Sequence, residues 1–120
     1  MATYHNKKFV SVPVHDADSP IFFTCIQEGF IVRATYTGEE IQCGRFVGMI
    51  NQHGELHFTY HHVNHKNELR SGEGRLFSER LSDGTLKLSG SWHGKNGWSK
   101  EKMLCYSLVS QTARKLKTSV

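Results

Sequence analysis

The sequence predicts an all-β domain, an antiparallel up-and-down meander of about eight short strands that closes into a small barrel. Three observations support this fold class. Turn signals recur at nearly regular intervals, and the segments between them are rich in Val, Ile, Thr, Tyr and Phe. Residues 38–97 contain no capped helical stripe of apolar residues. The connections are also too short for the crossovers that parallel strands need.

The first four predicted strands cover residues 8–12, 21–28, 30–37 and 41–50. A polar connection follows the first strand, and Gly29 ends the second. The third strand alternates two sets of side chains, as a half-buried strand does, and one set is Phe30, Val32, Ala34 and Tyr36. The fourth carries Gly44 and Gly48 on one face, where glycine usually marks a bulge, a bend or the close approach of another backbone.

The last four predicted strands cover residues 55–65, 68–81, 85–93 and a segment from 98 to about 109. In the fifth strand, the set expected to face inward is Leu56, Phe58, Tyr60, His62 and Asn64. The segment Ser82-Asp83-Gly84 is a strong hairpin signal between the sixth and seventh strands. Closure into a barrel removes exposed edges, although a sandwich of the same strands would give nearly the same pattern.

Length and composition favour one domain. The chain has 120 residues, of which 38% are hydrophobic, and we expect a single barrel over residues 1–110 and a basic tail over 111–120. Much of the net charge of +4 comes from Arg114, Lys115 and Lys117, whereas the rest of the chain mixes both signs. This distribution indicates a solvated tail and no nucleic-acid partner. The longest apolar runs are too short to span a bilayer, so we expect no membrane association.

The cysteine pattern indicates a reducing compartment. Cys25, Cys43 and Cys105 form no C-x-x-C pair and cannot all be joined in disulfides, and the first residues lack an apolar signal stretch. We therefore expect a cytoplasmic protein. In strands, cysteines usually act as small buried hydrophobic residues, so we expect no nucleophile among them.

A histidine cluster raises the question of a metal site. His53, His57, His61, His62 and His65 lie within one short stretch of the sequence. In a strand, residues four apart are separated by about 13 Å, too far to share one zinc ion. We therefore predict exposed strand histidines and no metal. No glycine-rich phosphate loop has the required spacing either, so no cofactor is expected.

The candidate site lies on the inward face of the fifth strand. Tyr60, His62 and Asn64 alternate with that strand's exposed residues and place polar groups in an apolar interior, where polar groups need partners. Those partners can be one another, ordered water or a bound small molecule. Trp92 is expected to supply an apolar wall or plain core packing. A ligand site and a satisfied polar network both remain open.

These segments resemble a family of short bacterial proteins commonly labelled N-acetylglutamate synthase, which are avidin-like or lipocalin-like barrels. The resemblance covers roughly residues 38–92. It rests on the sequences IQCGRFVG from Ile41, YHHVN from Tyr60, EL at Glu68 with Gly72, and the segment from Leu86 to Trp92. The sequence departs from the family near Ser89-Gly90-Ser91, where the family tends to place a glutamate. The resemblance implies a closed barrel of the calycin type.

The acetyltransferase activity that the label implies is not supported by the residues. The usual coenzyme A motif Q/R-x-x-G-x-G/A would need Gln or Arg at position 69, which is Leu69, and a helix after Gly74, where the sequence reads as a strand. We first expect a small, partly apolar ligand bound at one barrel end by Tyr60, His62, Asn64 and Trp92. The alternatives are a small enzyme that uses His62 as acid or base with Tyr60, and a homo-oligomeric interaction module with a filled interior.

Overall fold

A computed structural model describes residues 4–12, 19–95 and 100–108, without the side chains of residues 100 and 101. Its eight strands are β1 (Lys7–Val12), β2 (Ile21–Glu28), β3 (Ile31–Gly38), β4 (Ile41–Ile50), β5 (Glu55–Asn64), β6 (Leu69–Arg80), β7 (Leu86–Gly94) and β8 (Lys100–Ser107). Each strand pairs antiparallel with its neighbours in sequence order, and the sheet is a closed barrel. The predicted meander and its fold class are therefore confirmed. The basic tail at 111–120 lies outside the described residues.

Closure is made by the first and last strands. β1 pairs with β8 in antiparallel register, with Phe9 opposite Ser107 and Ser11 opposite Cys105. No strand edge of this sheet is left open, which distinguishes the barrel from the sandwich that the strand pattern alone also allowed. No helix in the described part of the chain is long and apolar enough to cross a membrane.

The barrel has two chemically different ends. The β3–β4 and β5–β6 turns lie at one end, here called the His62 end because His62 lies near the C-terminal end of β5. The β2–β3, β4–β5 and β6–β7 turns lie at the opposite end, here called the Tyr4 end. There Tyr4 is buried against Phe9, and its backbone N–H donates to Oε1 of the buried Gln27.

Two of the turns use asparagine in the same way. In the β4–β5 turn, Oδ1 of Asn51 accepts hydrogen bonds from the backbone N–H groups of His53 and Glu55, and Gly54 has a φ of 82°. In the β5–β6 turn, Oδ1 of Asn64 accepts hydrogen bonds from the backbone N–H groups of Lys66 and Glu68. Asn67 has a left-handed backbone conformation there, with a φ of 63°. An asparagine side chain that bonds to the backbone in this way stabilises a tight turn.

The interior is built from the inward-facing side chains that the alternation predicted. Leu56, Phe58, Tyr60 and His62 of β5 are all buried, as are Val32, Ala34 and Tyr36 of β3. One expectation was wrong: Cys43 is exposed, because a bulge near the start of β4 turns two successive side chains outward. The third strand also begins one residue later than predicted, so Phe30 lies in the β2–β3 turn, where it is 66% exposed. Cys25 and Cys105 are buried, as expected.

Inward glycines make room for aromatic rings. A Cβ atom at Gly74 would lie 2.5 Å from Cζ of Phe58 and 2.7 Å from the Ser91 carbonyl oxygen. A Cβ atom at Gly44 would overlap the Tyr36 ring and lie 2.8 Å from Cβ of His62. Since interiors are close-packed, the glycines and rings form complementary pairs across neighbouring strands. The sequence predicted a bulge, a bend or the close approach of another backbone at Gly44. The structure shows that the groups close to Gly44 are the side chains of Tyr36 and His62.

Candidate functional site

Three of the four predicted site residues meet inside the barrel. The rings of Tyr60 and Trp92 have centroids 4.8 Å apart, and the Tyr60 ring stacks on His62 at 6.0 Å with an interplanar angle of 15°. Tyr60 is 2% exposed, His62 1% and Trp92 0%. β5 supplies the first two because its inward positions alternate, and β7 supplies Trp92 from across β6.

His62 has a buried hydrogen-bond partner on β3. The Tyr36 hydroxyl lies 3.0 Å from Nδ1 of His62, and the two rings meet edge to face at 78°. Tyr36 and His62 are also the residues that β4 brings together, since both lie opposite Gly44 in the register. A side chain at position 44 would separate them. The pair therefore depends on a glycine that the sequence placed on the same inward face.

Burial keeps the polar groups of this site uncharged. Burial, followed by the positive charge of Arg70 and the neighbouring His61, lowers the pKa of His62 from 6.5 to about 4. Burial raises the pKa of Tyr60 to about 12 and raises that of Tyr36 still further, aided by Tyr60. Near neutral pH the site consists of neutral imidazole and phenol groups. Such groups are suited to hydrogen bonding rather than to binding a buried ion.

The fourth predicted residue, Asn64, lies at the rim of the His62 end. Besides holding the β5–β6 turn, its Nδ2 donates to Oε1 of Glu68 at 2.9 Å. The same carboxylate oxygen accepts from Nη2 of Arg70, also at 2.9 Å. Arg70 is directly opposite His62 in the β5–β6 register, and its side chain is 26% exposed. Asn64 is therefore linked through Glu68 to Arg70, the residue opposite His62.

Aromatic rings fill the interior around Trp92. Its ring is in contact distance of five others, with centroids 4.8 to 6.2 Å away: Phe23, Tyr36, Phe46, Phe58 and Tyr60. Several of these contacts are edge to face, an arrangement that aromatic pairs favour. The side chains that we considered as ligand contacts are thus packed against one another. A ligand at this end would have to displace or rotate at least one of them.

Sequence reasoning did not assign Tyr36 and Arg70 to the site. Tyr36 was recognised as part of an alternating strand, but nothing in the sequence states which strands face each other across a barrel. The position of Arg70 could have been predicted from the sequence, because Arg70 is two and four residues from Gly72 and Gly74 and therefore faces the same side of the strand, which is the inward side. A charged residue at an inward position near a strand end is typical of a rim.

The remaining histidines of the cluster lie on the surface. His53, His57, His61 and His65 are exposed, as predicted. His57 places Nε2 at 3.2 Å from Oε1 of Glu73 on the next strand. Within residues 4–12, 19–95 and 100–108, no three His, Cys, Asp or Glu side chains are grouped so that they could hold a metal ion.

Comparison with known families gives one match. A family model described as avidin-like protein matches residues 2–107, which is most of the chain. No curated protein and no solved structure matches the chain significantly. The matched span includes all eight strands and the residues of the His62 end.

Proposed function

We propose a function for this protein from the premise that the chain belongs to the avidin-like family of small β-barrels. The protein binds a small, partly apolar ligand at the His62 end of the barrel. His62 and Tyr60 orient the ligand by hydrogen bonding, and Trp92 packs against its apolar part. Asn64 acts from the rim by holding Glu68 beside Arg70.

The observation that carries this proposal is the buried Tyr36–His62 pair close to a barrel end. A core built only for stability gains little from buried polar groups, since hydrophobic residues of the same size serve as well. Here the chain keeps an imidazole and a phenol hydroxyl 3.0 Å apart among aromatic rings. Because both groups are neutral near neutral pH, the ligand's inner group is an uncharged hydrogen-bonding one. Amides, lactams and heteroaromatic nitrogens have this chemistry.

A ligand has to pass the rim of the His62 end to reach the site. The rings fill the interior, so the ligand enters by displacing side chains at the rim. Arg70 is the partly exposed residue opposite His62, and its contact with Glu68 is a surface ion pair, which contributes little to stability because water screens it. Moving Arg70 therefore costs little. The packed rings beneath it then give the ligand an apolar surface.

Catalysis by His62 has less support than binding. An efficient general base has a pKa near the working pH, and burial lowers the pKa of His62 to about 4. A group with that pKa accepts a proton only weakly near pH 7. The Tyr60 hydroxyl, with a pKa of about 12, is a weak acid. The pair is therefore better suited to holding a ligand than to transferring protons.

An NMR experiment tests the binding proposal. The indole N–H signal of Trp92 is followed in the ¹⁵N-labelled chain, and Trp98→Phe is used to assign it. A panel of small neutral amides and heteroaromatic compounds is then titrated. We expect at least one compound to shift this signal saturably in wild type and in the surface control His57→Gln, and several-fold more weakly in His62→Phe. If no compound shifts it, the binding proposal is wrong. An equal response in His62→Phe removes His62 from the site.

A homo-oligomeric module is the second candidate, favoured by exposed apolar side chains near the Tyr4 end. Phe30, Ile31 and Met49 are 66%, 45% and 58% exposed, and Ile31 lies directly opposite Met49. A second copy of the chain would cover them. Sedimentation analysis of wild type, Met49→Glu and the surface control Arg80→Glu tests this. Dissociation by Met49→Glu alone supports the module, and a wild-type monomer at all concentrations excludes it.

A further inference from the structure

The outer face of the barrel carries a groove that is separate from the His62 site. It has a volume of about 440 Å³ and crosses strands β2, β3, β4 and β5. Its side chains belong to two adjacent rows of the register. One row contains Ile26, Arg33 and Val47, and the next contains Thr35, Arg45 and His61. The groove is within the size range of small-molecule sites.

The groove combines apolar side chains with cationic ones. Ile26 and Val47 are 42% and 50% exposed and supply an apolar surface. Arg45 and His61 are directly opposite each other in the β4–β5 register, beside the hydroxyl of Thr35. No Asp or Glu is among the described residues that line the groove.

Among the described residues, no carboxylate is paired with the charge of Arg45. Arg33, between Ile26 and Val47 in the first row, is bound to Glu28 at 3.0 Å. The side chain of Arg45 forms no hydrogen bond or ion pair with any other residue of the described segments. Its guanidinium group can therefore donate two hydrogen bonds to a carboxylate without first losing a partner. Thr35 and His61 can add further donors to the same anion.

We propose that this groove binds a small carboxylate with an apolar body, such as a short-chain or medium-chain organic acid. The carboxylate lies against Arg45 and His61, and the apolar body covers Ile26 and Val47. The site differs from the His62 end in ligand charge, because the interior groups are neutral whereas the groove is cationic. The two sites also lie on opposite faces of the same strands, since His61 faces outward and His62 inward.

The test uses octanoate as the probe and the intact chain. Backbone amide signals are followed during the titration, with 1-octanol as the uncharged comparison. We expect saturable shifts at Ile26, Thr35 and Arg45, and clearly weaker binding of 1-octanol. Arg45→Gln should raise the dissociation constant for octanoate roughly fivefold, as the loss of an exposed charged contact predicts. The matched control Arg75→Gln, an exposed arginine outside the groove, should change it less than twofold.

Two further variants separate this proposal from the ligand site at the His62 end. Val47→Thr keeps the β-branched shape and should weaken octanoate binding by removing apolar contact. His62→Phe should bind octanoate as wild type does. Shifts confined to the His62 end, equal affinity for 1-octanol, or equal effects of Arg45→Gln and Arg75→Gln would each overturn the proposal. It would also be overturned if a second copy of the chain covered these residues in solution.

Discussion

The β4–β5 and β5–β6 turns lie at opposite ends of the barrel and have nearly the same construction. In each, an asparagine Oδ1 accepts two backbone N–H groups, and Nδ2 contacts a glutamate four residues later, which is Glu55 after Asn51 and Glu68 after Asn64. Only the second glutamate also binds an arginine that faces inward. The local hydrogen bonding of Asn64 is thus explained by the turn. The distinctive chemistry of the His62 end comes from Arg70 and His62.

The same contrast extends into the interior. At the Tyr4 end the chain closes its own barrel, because buried Tyr4 bonds to Gln27 and packs on Phe9. At the His62 end a neutral Tyr36–His62 pair takes the corresponding place near the rim. The Tyr4 end is therefore closed by aromatic packing and by the buried Gln27 side chain, which accepts a hydrogen bond from a backbone N–H. At the His62 end the interior is closed by aromatic packing around the Tyr36–His62 side-chain pair.

The largest expected effect tests whether both ends are packed equally well. Trp92→Ala and Phe9→Ala should each lower the free energy of unfolding by about 3 to 5 kcal/mol, since each removes a fully buried ring. Urea denaturation measures both. The control Phe77→Ala, at a half-exposed outward position, should cost less than about 1 kcal/mol.

Indole addition sharpens that comparison. The space left by Trp92→Ala has the shape of an indole ring, so indole should raise the melting temperature of this variant more than that of Phe9→Ala or wild type. Stability losses below about 1 kcal/mol at Trp92 would contradict a ring-filled interior at the His62 end.

The next effect compares two inward glycines. Gly44→Ala, at the His62 end, and Gly90→Ala, on β7, should each destabilise the fold by about 1 to 3 kcal/mol, because a Cβ atom has no room at either position. The obstacles differ. At Gly44 they are the Tyr36 ring and the His62 side chain, whereas at Gly90 the Arg75 carbonyl is in the way.

A second substitution, Tyr36→Leu, distinguishes the causes of destabilisation in the two glycine variants, and thermal or urea denaturation measures its effect. Tyr36→Leu should recover part of the loss in Gly44→Ala, because it removes the ring that the new Cβ would meet. It should leave the Gly90→Ala loss unchanged, since backbone cannot move aside so easily. Equal recovery in both would show that Tyr36 and position 44 are not in direct conflict.

A pH effect of intermediate size belongs to the His62 end alone. The pKa of His62 is about 4 when folded and about 6.5 when unfolded, so between these values the unfolded chain binds more protons and stability increases with pH. Lowering the pH from 7 to 5 should therefore cost about 1 to 2 kcal/mol through this residue. The full loss of stability is reached only below about pH 4, the pKa of His62 in the folded protein.

Urea midpoints at the two pH values measure this loss. His62→Phe should remove the His62 contribution, and the exposed control His57→Gln should retain it. A pH slope in His62→Phe identical to that of wild type would mean that burial does not perturb His62.

The smallest effect tests the equivalence of the two asparagine turns. Asn51→Ala and Asn64→Ala should each lower stability by about 1 kcal/mol, because each loses the acceptor of two backbone N–H groups. In addition, Asn64→Ala frees Glu68 from one contact and should alter Arg70 dynamics, which NMR of the arginine side chain reports. Equal changes at Arg70 in both variants would exclude a rim role for Asn64.

Much of the fold followed from local patterns. The alternation over residues 55–65 predicted the inward positions of β5, and these side chains are buried down to His62. Turn signals predicted every strand to within a few residues. Phe30 was misplaced because an apolar residue beside a turn glycine fits the strand pattern equally well. The outward turn of Cys43 depends on a bulge, which has no unambiguous signal in the sequence.

The candidate site was predictable only in part. Tyr60 and His62 share one strand, so periodicity placed them together, and Trp92 came from the same inward rule applied to β7. Tyr36 lies 26 residues before His62, and their hydrogen bond depends on how β3 and β5 pack around Gly44. Arg45 is exposed, and the groove around it requires four strands in register.

The sequence by itself determined the strand order, the turn positions and the inward face, because hydrophobic alternation and turn chemistry act between near neighbours along the chain. Tertiary structure alone decided that the barrel closes through β1 and β8 and that rings fill it. It also decided that Tyr36 meets His62 and that Arg70 lies opposite His62. These are contacts between residues distant in sequence, and they depend on register and curvature, which no local pattern encodes.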